Sequence, residues 1–311
     1  MAFLPLPVPY DFRLSMSRFR AYGPDHANLW EEGAGGPGAL WRVVGGRAVR
    51  IAAVEPAGAS GVELTPSSPE AEQEVAWLLG APFDLDGFAA FISASGDATL
   101  QALHGRLPGF RPPLAPDPFE ALVTAITAQQ VSLFSAFAVR NRLIAAFGEM
   151  PAPASAPASA PAREAAPAVP EPLRAVPAAL RAFPRAQRLA LADPAELVPL
   201  GFSRRKAEYV VGVAQALEGL GDLAALADDE VKARLVAIRG LGEWTADWFL
   251  ARHLARPRAW PAGDLVLRKA CSRHYASGRD LSTAEVRALG ERFEPFQNLV
   301  AHLLLIGSTL P

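Results

Sequence analysis

Cysteine is almost missing from this chain: Cys271 is the only one in 311 residues. A lone thiol cannot close an intrachain disulfide, complete a thiolate zinc cage or hold a four-cysteine iron–sulfur cluster. A reducing cytoplasm is therefore the expected compartment. Long apolar runs are missing too. None approaches the ~18 residues that a membrane helix needs, so no membrane partner is expected. The opening stretch MAFLPLPVPYDF has no basic residue before its apolar part and is broken by Pro5, Pro7 and Pro9, so it does not read as a secretory signal. An excess of either charge is also lacking. Thirty Lys and Arg stand against 32 Asp and Glu, a net charge of −2, which argues against binding nucleic acid through overall charge alone. Hydrophobic residues, by contrast, make up 50% of the chain and charged residues 20%, enough for a sizeable core and unlike a disordered chain. At roughly 100–200 residues per domain, the length suggests about two domains.

The charge is unevenly placed. Between positions 252 and 273, Arg252, Arg256, Arg258, Arg268, Lys269 and Arg273 face the single acid Asp264, and Arg204-Arg205-Lys206 forms a second basic knot. Such clusters are usually solvated faces, yet they leave room for a local phosphate-binding surface. Secondary-structure signals also divide the chain. Short β-branched runs at 40–44, 48–54 and 61–65, bounded by glycine, predict strands, and Ser68-Pro69 opens a helix over 70–79. From Asp117 onward the pattern is helical: a capped helix after Pro118, then 133–147, 184–191, 204–219, 228–236, 245–253 and 265–275, with a pair after Ser282. The expected fold is mainly α, with an α+β N-terminal domain (1–113) built on a small antiparallel sheet and a helical domain (114–311). Proline and alanine dominate 151–177, which reads as a solvated insertion.

The most informative stretch is Leu235-Val-Ala-Ile-Arg-Gly-Leu-Gly-Glu-Trp-Thr-Ala-Asp-Trp-Phe-Leu250. One helix ends near Ile238, Gly240-Leu241-Gly242 turns, and another helix begins at once. Glycines allow close backbone approach, and the free N–H groups of the new helix form an anion site suited to a DNA phosphate. Leu241 would point back to lock the two helices together. Gly-x-Gly alone reads equally well as an ordinary glycine-capped corner. Trp244 and Trp248, four apart, share a helix face. Further on, Asp264 directly precedes Leu-Val-Leu-Arg and reads as an N-cap.

Ile238-x-Gly-Leu-Gly-x-Trp-Thr-Ala-x-x-Phe249, followed by Trp260-Pro-Ala-Gly-Asp264, resembles the helix–hairpin–helix DNA glycosylases, nearest to their bacterial 3-methyladenine DNA glycosylase II branch. Pro9-Tyr-Asp-Phe12, Phe119-Glu-x-Leu-Val-x-Ala-Ile126, Gln129-Gln-Val-Ser132, Asp193-Pro-x-x-Leu197, Leu200-Gly-Phe202 and Arg205-Lys-Ala207 extend the likeness in order along the chain. It covers roughly 9–305, apart from the insertion.

The resemblance implies a set of roles. Asp264 is the essential carboxylate that stabilises an oxocarbenium-like sugar while the N-glycosidic bond breaks, a role compatible with capping. Trp244 stands where strand-cutting relatives carry a Schiff-base lysine, which implies a monofunctional enzyme that leaves an abasic site. Trp244, Trp248, Phe12 and Leu305 would line the pocket for a flipped base. Gly240, Leu241, Gly242 and Thr245 would bind DNA, and Gln130 would wedge into the duplex. Main-chain carbonyls of Val236, Ile238 and Leu241 match positions that hold a structural Na⁺ or K⁺; no other cofactor is expected. The implied partner is double-stranded DNA with alkylated bases, bound by a monomer.

One departure affects the pocket. Phe293-Glu-Pro-Phe-Gln-Asn298 replaces the tryptophan-rich run of the terminal helix, and Leu305 stands in place of a wall tryptophan. Cationic bases are drawn to aromatic faces, so this change points to a broader or shifted range of alkylated bases. Two other readings remain at this stage: a non-catalytic helix–hairpin–helix DNA-binding protein, and a glycosylase for oxidised bases.

Overall fold

Alternation along Ala39–Val44 sends Leu40 and Val44 to one side of a sheet and Trp41 and Val43 to the other. In the computed structural model, which describes residues 1–33, 36, 38–54, 60–153 and 176–308, this segment (β3) is one of five antiparallel strands. The others are β1 (Ala2–Pro5), β2 (Asn28–Glu31), β4 (Arg47–Val54) and β5 (Gly61–Thr65), in the order β1-β5-β4-β3-β2. Gly45 and Gly46, at φ +54° and +76°, make the two-residue turn that pairs Val44 with Arg47. Two short helices, α1 (Phe12–Ser15) and α2 (Arg18–Ala21), and the longer α3 (Pro69–Leu78) accompany the sheet. Phe12, Met16, Phe19, Val75 and Leu78 close its first core.

Two helices that the sequence patterns did not reveal follow, α4 (Leu85–Ser95) and α5 (Ala98–Arg106). Next come α6 (Pro118–Ala128), α7 (Leu133–Phe147), α8 (Ala186–Ala190), α9 (Pro194–Leu197), α10 (Arg204–Ala216), α11 (Asp228–Val236) and α12 (Glu243–Arg252). The chain ends with α13 (Leu265–Tyr275), α14 (Thr283–Gly290) and α15 (Gln297–Gly307). These helices form two cores. Helices α6, α7 and α10–α12 share one, through residues such as Phe119, Ile126, Val210, Leu235 and Phe249. Helices α4, α5 and α13–α15 share the other, through Phe88, Leu100, Leu267, Val286 and Val300.

That second core spans the expected division at 113/114. Phe83 to Leu114 pack with the C-terminal helices, so they belong to the helical part although they precede α6 in sequence. The insertion expected at 151–177 lies almost wholly outside the described residues. At its edges, Ala152 bridges Arg47, while Val176 and Leu180 pack with Trp41 and Ala48 on the outer side of the sheet.

A buried ionic network ties the sheet to the first helical core. Arg42 on β3 bonds Glu74, Asn28 and Glu120; Arg140 on α7 bonds Glu120 and Asp25. Burial opposes the charge on Glu120, but Arg42 and Arg140 outweigh it and hold the carboxyl at about 2.

Candidate active site

The site lies where the two helical cores meet. Helix α11 ends at Val236, and Gly240 turns the chain at φ +97°. Only glycine fits there: a Cβ would fall 2.1 Å from the Tyr209 ring. Leu241 turns inward, 5% exposed, into the first core, so it locks the hairpin as expected and offers only its main chain outward. Gly242 begins α12 with no side-chain cap, and both Gly242 and Glu243 are exposed. The first N–H groups of α12, with the positive end of its dipole, therefore open on the surface.

On the next turn of α12, Trp244 and Trp248 reach across to α13. Asp264 is the N-cap of α13: its Oδ1 accepts from the N–H groups of Val266 and Leu267 at 2.9 and 3.0 Å. Its Oδ2 accepts from Trp244 Nε1 at 2.9 Å and from Trp248 Nε1 at 3.0 Å. Four donors thus fix a partly exposed carboxylate in one orientation. Capping and site geometry coincide in one residue, and the spacing of Trp244, Trp248 and Asp264 brings all three together.

Other expected residues fall differently. Phe12 does not join the site. Asp11 caps α1 and turns Phe12 into the core beneath the sheet, 3% exposed, 5.7 Å from Trp30 between ring centroids. Thr245 is 1% exposed, and its hydroxyl accepts from Gln129 Nε2, so it has no surface to offer a phosphate. Trp248 is no open platform either. The Arg252 guanidinium lies 3.7 Å from its ring centroid, and His302 meets it edge-on. Leu305 is half-buried where the two helical cores meet. Gln130 is exposed beside the hairpin at φ +57°, a backbone conformation that costs a non-glycine residue energy. Of the carbonyls expected to hold a cation, that of Ile238 accepts from Leu241 N–H at 3.1 Å. A set of neutral carbonyl oxygens is donor chemistry that suits a monovalent ion.

Several contributors were missed. Gln129 Nε2 donates to the Gly240 carbonyl at 3.0 Å, and Lys206 Nζ donates to the carbonyls of Thr127 and Gln129, so the end of α6 is fastened to the hairpin. The sequence marks Gln129 only as the start of the Gln129–Ser132 run, with no sign of a bond to the hairpin. Arg252 carried a better signal, standing four residues after Trp248 on the same helix face. Arg18 and Tyr22, from the first region, reach the same neighbourhood. The charge of Arg252 interacts with both and with Asp264, while Tyr22 packs on Phe134 and Phe137 at 5.3 and 5.4 Å. No sequence pattern links these distant positions. Exposed apolar side chains gather beside the site's own sequence neighbours: Val131, Leu133 and Phe134 after Gln130, and Leu265 and Val266 after Asp264.

Residues 123–295 match the HhH-GPD superfamily of base excision DNA repair proteins, and the chain belongs to that superfamily. Within it, the chain is similar to three proteins in particular. It is 26% identical over 202 residues to the DNA-3-methyladenine glycosylase of Bacillus subtilis, covering 63% of this chain and 59% of the relative. It is 28% identical over 206 residues to DNA-3-methyladenine glycosylase 2 of Escherichia coli, covering 65% and 62%. The chain thus spans about 60% of the length of these curated relatives. The solved 3-methyladenine DNA glycosylase of Archaeoglobus fulgidus superposes with a TM-score of 0.78 at 25% identity, covering 100% of this chain and 99% of that one.

Proposed function

We propose that this protein is a monofunctional DNA N-glycosylase that removes damaged bases, alkylated bases among them, from double-stranded DNA and leaves an abasic site. The observation that carries this reading is the Asp264 carboxylate, fixed by four donors, partly exposed, and joined by two indoles to the hairpin helix. The uncapped start of α12 binds a backbone phosphate, and the main-chain carbonyls of Val236, Ile238 and Leu241 would hold a Na⁺ or K⁺, whose positive charge would add to that of the helix end. Gln130 enters the duplex as the nucleotide swings out. Asp264 then faces the anomeric carbon and stabilises the positive charge that grows on the sugar as the base departs. Trp244 and Trp248 hold the carboxylate, and Trp244 supplies no amine for a Schiff base, so the strand stays intact. The protein acts as a monomer in the cytoplasm.

Incubation of the purified protein with methylated duplex DNA tests the reading. The expected result is free methylated base together with alkali-labile abasic sites, and no strand cut before alkali. Salt-dependent DNA binding without release of any base would instead support the non-catalytic alternative.

A further inference from the structure

The chemistry beside Asp264 is unlike that of the buried network, because its cations are not neutralised. Among the described residues, neither Arg18 nor Arg252 has a carboxylate within ion-pair distance. Arg252 Nε points at His302 Nε2 at 3.5 Å, and its two terminal nitrogens have no partner among the described residues, yet they are not sealed from solvent. The guanidinium lies flat against Trp248, whose Nε1 holds Asp264. Arg18 makes no hydrogen bond among the described residues and sits 5.7 Å from the Phe137 ring centroid. A guanidinium stays protonated in proteins, so both sites remain cationic with donors to spare.

We propose that Arg252, stacked on Trp248 and backed by Arg18, is the specificity-determining residue of this site, favouring neutral bases that carry a carbonyl acceptor over bases that carry a positive charge. The inference rests on the glycosylase reading and names the substrate class of the same site. A cationic base seeks an aromatic face, but here the Trp248 face already carries a cation, and a second one would be repelled. A neutral base bearing a carbonyl meets free guanidinium donors instead. Burial and the neighbouring charge of Arg18 both press against the charge of Arg252, so an acceptor or a growing negative charge relieves an existing strain.

The chemistry follows. In either case the base takes the electron pair of its bond to the anomeric carbon; a cationic base thereby leaves neutral and needs little help, whereas a neutral base leaves as an anion. As that bond breaks, Asp264 faces the sugar cation and Arg252 faces the base anion. Water then adds to the sugar, and the proton it releases returns to the base nitrogen through solvent. One donor aimed at a developing charge is worth about 10²–10³ in rate.

The test uses the full chain and two duplexes, one with a single hypoxanthine (neutral, carbonyl-bearing) and one with a single 7-methylguanine (cationic), each under single-turnover conditions. The expected result is release of hypoxanthine by the natural protein. Arg252→Met lowers that rate about 10²-fold and lowers the hypoxanthine-to-7-methylguanine ratio at least about tenfold. Arg18→Met shifts the ratio in the same direction by less, and it serves alone if a melting curve shows that Arg252→Met does not fold. Equal loss on both duplexes, with weakened binding to abasic DNA, would assign these arginines to phosphate contact and overturn the proposal. Release of 7-methylguanine without hypoxanthine overturns the proposal and leaves the glycosylase reading standing. Release of neither base removes both.

Discussion

Two clusters in this chain use the same kinds of charged side chain to opposite ends. Around Glu120, every charge has a partner: its oxygens take Arg42 and Arg140, and those guanidiniums are completed by Glu74, Asn28 and Asp25. Around Asp264, the carboxylate is held by indoles and main-chain N–H groups, while Arg18 and Arg252 keep donors that have no partner among the described residues. The first cluster is buried and the second is partly exposed, but residue type does not separate them. Closure does. The first network uses its charge inside the chain, binding sheet to helices, and the second has donors left over among the described residues.

The largest test of this contrast is Asp264→Asn. Asparagine still caps the helix through its Oδ1, but its amide NH2 would face the Trp244 and Trp248 N–H groups, donor against donor, so the fold should survive with a modestly lowered melting temperature. Base release from methylated duplex should fall by about 10²–10³-fold or more, because the charge opposite the sugar is gone. Affinity for abasic DNA should stay within a few-fold. Single-turnover release, a melting curve and a binding titration read the three quantities. A release rate close to that of the natural protein would show that the open cluster is as structural as the closed one.

The closed cluster should answer in stability alone. Glu120→Gln leaves Arg42 and Arg140 without their shared partner and should cost about 3–5 kcal/mol in denaturant unfolding. Acid sharpens the point. Glu120 titrates near 2 in the folded protein, below the ~4.3 of an unfolded chain, so its contribution is complete above about pH 5 and is lost as pH falls from there. His302, pushed down to about 3 by burial and then by Arg252, resists protonation in the folded state. Because an unfolded histidine takes its proton near ~6.5, stability should already decline below that pH. His302→Gln should flatten the upper part of the decline and Glu120→Gln the lower. A single transition unaffected by either change would mean that neither group controls the acid response.

How much of this was legible beforehand depended on how local each feature is. The span of α13 and the chemistry of its N-cap could be read from Gly263-Asp264 and the apolar spacing that follows, and β5 from its glycine boundary and β-branched residues. Their determinants lie within a few residues. Helices α4 and α5 escaped because Ala-, Ser- and Gly-rich segments carry a weak periodic signal; what fixes them is packing against α13–α15, some two hundred residues away. The same holds at the site. Trp244, Trp248 and Asp264 were readable because the hairpin spaces them within 21 residues. Arg18, Tyr22 and Gln129 arrive from other parts of the chain and only folding brings them in. Phe12 was misplaced for the converse reason: its sequence context fixed the cap at Asp11, and the cap sent the ring into the sheet core instead of the cleft.

The finest test carries the contrast from side chains to the main chain. Gly240 and Gly242 flank Leu241 symmetrically in sequence, yet one is closed and the other open. Gly240 has φ +97° and lies against Tyr209, so Gly240→Ala adds left-handed strain of about 1–2 kcal/mol to a direct clash and should lower the melting temperature measurably. Gly242 has φ −111° and nothing within 4 Å of where a Cβ would stand. At this N-cap alanine is a poorer residue than glycine, so Gly242→Ala should lose only about 0.5–1 kcal/mol, less than Gly240→Ala. Its added methyl group occupies the approach to the first N–H groups of α12, where a phosphate must come within hydrogen-bond distance. A several-fold loss of duplex affinity is expected in a protein that remains fully folded at the assay temperature. Equal affinity for the two proteins would mean that the backbone of DNA does not touch the hairpin at this turn, and that the open end of α12 faces only water.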